Sequence, residues 1–175
     1  DASLNYKFIR NLNISFIEKI KKIISYKKFF NGTKTHFRKF IGINNINEGF
    51  YTLSSVLEAL NFKEIFLKID IEGSEYRVLD ALLNNYQKIS GLVIEFHNCD
   101  VNLSKIKWFI ENFNLKLVHI HANNHGLFDL DKKIPLVLEL TFSKYCELDD
   151  KLNLPHPLDM RNGTNREEIN LEFLN

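Results

Sequence analysis

Ile65-Phe66-Leu67-Lys68-Ile69-Asp70-Ile71-Glu72-Gly73-Ser74 is the stretch on which the reading of this chain turns. Residues 65–69 are mostly apolar and too few for a helix, so they predict a strand that stops at the first carboxylate. Ser74 then stands as the cap of a helix over 75–87, with Val78, Leu79, Leu82 and Leu83 turned inward. A short apolar strand delivering polar residues into a turn, then an amphipathic helix, is the repeating unit of an α/β sheet.

The same alternation runs outward in both directions. Upstream, Ile14, Ile17, Ile20 and Ile24 recur at helical spacing and predict an amphipathic helix over 12–30, closed by Asn31-Gly32. A strand is expected over 35–41 and a helix over 53–61. Downstream, strands are expected over 89–96, 115–121 and 135–142, with a helix over 103–113 whose Trp108 belongs to the core. No helix separates the last two strands, so the final one can run antiparallel. The expected fold is a Rossmann-like doubly wound, mostly parallel sheet with an antiparallel last strand. From about 145 the chain turns acidic and irregular, which divides it into a domain over 1–145 and a tail over 146–175 packing on that domain.

Composition narrows the function. The chain has 175 residues, a net charge of +1 and a mean hydropathy of -0.20. It has no apolar run near the length of a membrane span, and its balanced charge gives no global attraction to nucleic acid. Residues 1–50 carry ten Lys/Arg against three acids, read as the solvated face of one helix. Two cysteines, Cys99 and Cys146, are too few for a disulfide framework and form no CxxC pair, consistent with a reduced, cytoplasmic setting. Asp1 is not an initiator Met, which suggests a fragment. None of the seven glycines belongs to a dinucleotide fingerprint, a P-loop or a nucleophile elbow.

In an open α/β sheet, ligands bind beyond the carboxyl ends of the strands. Those ends offer Asp70 and Glu72, then Glu95 and His97, then His119 and His121. Each pair is spaced i, i+2, which in extended backbone places both side chains on one face. If the first two strands adjoin, Asp70, Glu72, Glu95 and His97 converge on one patch, where they can bind a divalent cation or divide into acid and base. A cap would need no second carboxylate two positions on, so Asp70 and Glu72 are read as site residues. His119 is read as a core or supporting histidine. Glu139, mid-strand among aliphatic neighbours, is expected to be hydrogen-bonded, because a bare buried carboxylate is costly.

Residues 66–75 resemble the LKIDIEGxE signature of FkbM-type methyltransferases, which use S-adenosylmethionine on a Rossmann-like sheet. Gly91 to His97, Pro135 to Phe142, and Pro157-Leu158-Asp159 with Asn162 are similar to later segments of that family, so the likeness runs from about 36 to 173. The resemblance implies transfer of a methyl group to a hydroxyl of a glycan or small metabolite. It also implies a glycine-rich cofactor loop that this sequence lacks, so the first strand–helix unit is expected upstream of residue 1, with Asp1 as the acceptor for the cofactor's ribose hydroxyls. On this reading Asp70, His97 and His121 are catalytic, Asp1 and Asp70 hold the cofactor, and Glu72, Glu95 and His97 hold a metal ion. A truncated or degenerate member with a binding role, or a metal-dependent glycosyltransferase, are the alternatives.

Overall fold

The computed structural model describes residues 13–30, 32–37, 39–43, 49–131, 133–146 and 154–171. The chain forms two compact units, Asp1–Thr52 and Leu53–Asn175.

In the first unit, helix α1 (Phe16–Phe29) begins later than expected because Ser15 caps it. Ser15 Oγ accepts from the Glu18 N–H at 3.3 Å, and Glu18 Oε2 accepts from the Ser15 N–H at 2.9 Å. That reciprocal pair satisfies two donors that a helix start otherwise leaves open. The strand expected over 35–41 contracts to β1 (Phe40–Ile41), which runs parallel to β2 (Phe50–Tyr51).

The second unit holds the main sheet. Helix α2 (Leu53–Ala59) leads to β3 (Ile65–Ile69), a 3-10 turn (Glu75–Arg77), α3 (Leu79–Asn85) and a second 3-10 turn (Tyr86–Lys88). Then come β4 (Ile89–His97), α4 (Cys99–Asn112) and β5 (Lys116–Ala122). A small hairpin of β6 (Phe128–Asp129) and β7 (Ile134–Pro135) turns the chain back into β8 (Val137–Ser143). The spatial order is β3-β4-β8-β5. β3 is parallel to β4, and β8 is antiparallel to both β4 and β5. The architecture is therefore mixed α/β, with the antiparallel strand inserted between two others rather than added at an edge.

Alternation along β8 explains its position. Leu138, Leu140 and Phe142 lie opposite Phe96, Ile94 and Leu92 of β4, and all six are buried. Glu139, Thr141 and Ser143 take the other face. Above the apolar face, the ring of Phe109 from α4 lies 5.5 Å from Phe142, 6.2 Å from Phe96 and 4.8 Å from Phe113. Each such buried aromatic contributes about 1.5–3 kcal/mol through the surface it removes from water. Trp108, the neighbour of Phe109, points elsewhere and is 43% exposed, which corrects the expectation that it is core. Helix α4 also starts four residues before the expected 103, directly after Asn98 in a left-handed conformation (φ 52°). Gly91 is glycine for a steric reason: a Cβ there would sit 2.7 Å from the Phe66 ring of the paired strand.

Candidate active site

The backbone reverses sharply where β3 ends. Glu72 and Gly73 both have positive φ, 54° and 93°, a conformation that glycine adopts freely and glutamate does not. One carboxylate holds this reversal. Glu75 Oε1 accepts from the N–H groups of Ile71 and Gly73, both at 3.1 Å. Ser74 makes no side-chain cap. The capping expected of the serine falls to the glutamate that follows it, which reaches back over the turn.

Glu75 is wholly buried and also touches β4. Its Oε1 lies 3.1 Å from His97 Nδ1. A carboxylate oxygen that already receives two backbone donors is an acceptor toward the ring, so His97 Nδ1–H donates and Nε2 faces away from Glu75. That nitrogen stands 3.5 Å from Glu72 Oε2 and 3.9 Å from Glu95 Oε1. Tyr76 fixes the same strand end by donating its hydroxyl to the His97 carbonyl at 2.6 Å.

Asp70 joins the group because β3 and β4 are parallel and, after a register shift between Ile65 and Phe66, Ile69 pairs with Ile94. One oxygen of Asp70, one of Glu95 and one His97 nitrogen all lie within 4.8 Å of one another. Glu95 is the buried member, at 9% exposure. Burial pushes its pKa up, the Asn123 hydrogen bond at 2.9 Å opposes that, and the negative charges of Asp70 and Glu139 add to the rise. Asp70, Glu95 and His97 thus come together at the ends of β3 and β4, whereas Glu72, on the left-handed turn beyond β3, reaches His97 by that turn and not by strand spacing. The tightest set contains Asp70 rather than Glu72, whose side chain is 85% exposed.

His121 does not enter this cluster. It faces Glu139 across β8, and Glu139 in turn faces Glu95, so β8 lies between the two rims. His121 is instead gripped by two carboxylates, Glu139 at 3.3 Å and Glu168 at 2.6 Å. Glu139 also accepts from the Asn162 amide at 2.9 Å, which supplies its expected compensation. His119 bonds Asp159 at 2.8 Å. These contacts fasten residues of the 154–171 segment to β5 and β8. The insertion of β8 is the physical reason that His121 stands apart from Asp70 and His97. Asp1 lies outside the described residues.

Cys99 is no nucleophile. Its thiol is buried and donates to the Phe96 carbonyl at 3.2 Å, and burial pushes its pKa up to about 12. Glu75 and Tyr76 are the residues that strand-end reasoning passes over. A signal for Glu75 was present: it precedes Val78, Leu79 and Leu82 by three, four and seven positions, which puts a carboxylate on the inward stripe of its helix.

A mixed α/β sheet that gathers two carboxylates and one imidazole at the carboxyl ends of adjoining parallel strands puts them where ligands of open α/β sheets bind. Residues 18–144 match the family model described as the Methyltransferase FkbM domain. The chain belongs to the FkbM methyltransferase family. No curated protein and no solved structure matches it.

Proposed function

We propose that the chain is an S-adenosylmethionine-dependent O-methyltransferase acting on a hydroxyl of a glycan or small metabolite, built on a Rossmann-like doubly wound sheet. The observation that carries this reading is the oriented His97, with Nε2 facing Glu95 and a ring nitrogen within 4.8 Å of Asp70 and Glu95 oxygens at the rim of a methyltransferase-family sheet. The chemistry of the donor set fits the cofactor. Asp70, Glu72 and Glu95 are acidic, and the cofactor carries a positive sulfonium and a positive ammonium group. Asp70 would hold it.

When bound, S-adenosylmethionine supplies a methyl group already attached to a good leaving group. The protein's share is then to align the acceptor oxygen and to receive its proton. His97 Nε2 would be the receiving atom: the hydroxyl O–H bond would break, the proton would pass to Nε2, and the electron pair would stay on the acceptor oxygen. Glu75 keeps the ring from turning by holding Nδ1–H. Glu72 and Glu95, on the Nε2 side, compensate the positive charge that the ring then carries. Cys99 and Cys146 are not joined in a disulfide, in keeping with a cytoplasmic enzyme. Among the described residues no helix is long and apolar enough to cross a membrane.

Calorimetric titration of the full chain with S-adenosylmethionine tests the reading. Saturable binding at one site per chain is the expected result. Absence of heat at about millimolar cofactor, equivalent to less than about 4 kcal/mol of binding free energy, removes it.

A further inference from the structure

We propose that Asp70, Glu95 and His97 form a binding site for a divalent metal ion, with Glu75 and Asn123 holding the ligands in place. One ligand atom of each of the three lies within 4.8 Å of the others. Two carboxylates and one imidazole are a donor set that divalent first-row ions accept, with coordination positions left open for water or an acceptor oxygen.

Proximity of acidic groups is common on protein surfaces, and three further features distinguish this rim. The first is the arrangement behind His97. An imidazole that binds a metal through one nitrogen is nearly always held at the other by a carboxylate or carbonyl. Here Nδ1 sits 3.1 Å from Glu75 Oε1, and Nε2 is left facing Glu95 at 3.9 Å.

The second feature is Glu75 itself. It has no exposed surface, and its Oε2 is buried without a hydrogen-bond partner among the described residues. A buried carboxylate with an unused oxygen is expensive. Capping the turn would not require it, since an amide oxygen could accept the same two N–H bonds without a charge. A negative charge directly behind the imidazole has a clear use when a cation sits on the far nitrogen, because it strengthens the ligand.

The third feature is Glu95. Asn123 donates to its Oε1 at 2.9 Å and so fixes the carboxylate's orientation, as ligating carboxylates are commonly fixed. Asp70 and Glu139 add negative charge nearby. Among the described residues no lysine or arginine pairs with Glu95, and the cation beside Asp70, Lys68, is 3.9 Å away and exposed. A metal ion would supply the missing positive charge.

Glu72 differs from the three. It approaches Nε2 at 3.5 Å from the solvent side with its carboxylate largely exposed, and an ion would displace it rather than need it. An ion on Nε2 also takes the nitrogen that otherwise receives the acceptor's proton, so ligand and base are alternative uses of one imidazole. Binding of the ion does not depend on methyl transfer, and its test reads binding alone.

The experiment is titration of the full chain with MnCl2 in the absence of cofactor, followed by electron paramagnetic resonance of free manganese. One ion per chain is expected. Asp70→Asn, Glu95→Gln and His97→Ala should each weaken uptake at least about tenfold, and Glu75→Gln, acting through His97, about 10–100-fold. Glu72→Gln should leave it unchanged within about threefold, as for a group that is not a ligand. Should Glu75→Gln fail to fold by circular dichroism, Asp70→Asn decides, since it leaves the backbone bonds of the turn in place. Uptake as weak in the wild type as in His97→Ala, or uptake lost with Glu72→Gln but retained with Asp70→Asn, overturns the site. If manganese fails to bind while S-adenosylmethionine still does, the metal site alone is withdrawn. The converse result withdraws the methyltransferase reading alone.

Discussion

Oε1 of Glu75, a side chain with no exposed surface, accepts the Nδ1–H of His97 at 3.1 Å and so ties the turn after β3 to the end of β4. The same oxygen receives the N–H groups of Ile71 and Gly73. Replacing Glu75 by Ala leaves two part-buried backbone donors unpaired, at about 1–3 kcal/mol each. Urea denaturation should therefore show Glu75→Ala destabilised by about 2–6 kcal/mol. Glu75→Gln keeps an oxygen for the turn and should retain much more of the stability. A Glu75→Ala variant as stable as wild type would mean that the turn is held by other contacts.

Asp70 is the opposite case. Its side chain is 38% exposed, and its ion pair with Lys68 is long, at 3.9 Å. Such pairs contribute about 0–1 kcal/mol. Asp70→Asn should abolish methyl transfer and shift the melting temperature little. Unchanged specific activity together with unfolding would mark Asp70 as structural.

His121 predicts a pH dependence. Burial alone lowers its pKa, but hydrogen bonds to Glu168 and Glu139, with the charges of Glu139 and Asp159, raise it overall. The folded protein therefore favours the charged ring more than the unfolded chain does. That stabilisation is fully present below the unfolded value of about 6.5 and is lost as the pH rises through the raised folded value. Melting temperature should fall as the pH is taken upward from about 6.5, with hydrogen exchange rising first over 154–171. His121→Gln should flatten this limb of the curve. A wild-type curve that rises over the same range would contradict the assignment.

The two aromatic neighbours on α4 should separate cleanly. Phe109 is fully buried among Phe96, Phe113 and Phe142, and Phe109→Ala should cost about 3–5 kcal/mol. Trp108 is 43% exposed, and Trp108→Ala should cost less than about 1 kcal/mol in the same urea titration.

Thiol chemistry offers a check that needs no substrate. Cys146 is exposed, whereas Cys99 is buried with its pKa pushed up to about 12. A thiol reagent at neutral pH should label one cysteine in the native chain and two in denaturant. Rapid labelling of Cys99 in the native protein would show that α4 opens locally from β4.

Much of the site was legible from the chain because short apolar runs ending in polar residues leave few choices. The run 65–69 was too short for a helix, and its limits agree with β3, the end strand of its sheet, of which only Ile65 and Ile69 are buried. The i, i+2 spacing of Glu95 and His97, with Asp70 at the end of a parallel neighbour, brought those three together. Glu75 was hidden by its position at the start of an expected helix, where a glutamate ordinarily looks like a first-turn charge. His121 had the same strand-end signature as His97, yet its partner Glu168 lies 47 residues further on.

Periodicity and run length, which depend only on near neighbours along the chain, determined the four strands of the main sheet, most of the helices and the chemical character of those strand ends. The order β3-β4-β8-β5, the burial of Glu75 behind His97 and the double-carboxylate grip on His121 were decided by tertiary structure. Those features depend on which faces pack together, and packing joins residues across separations that local pattern does not encode.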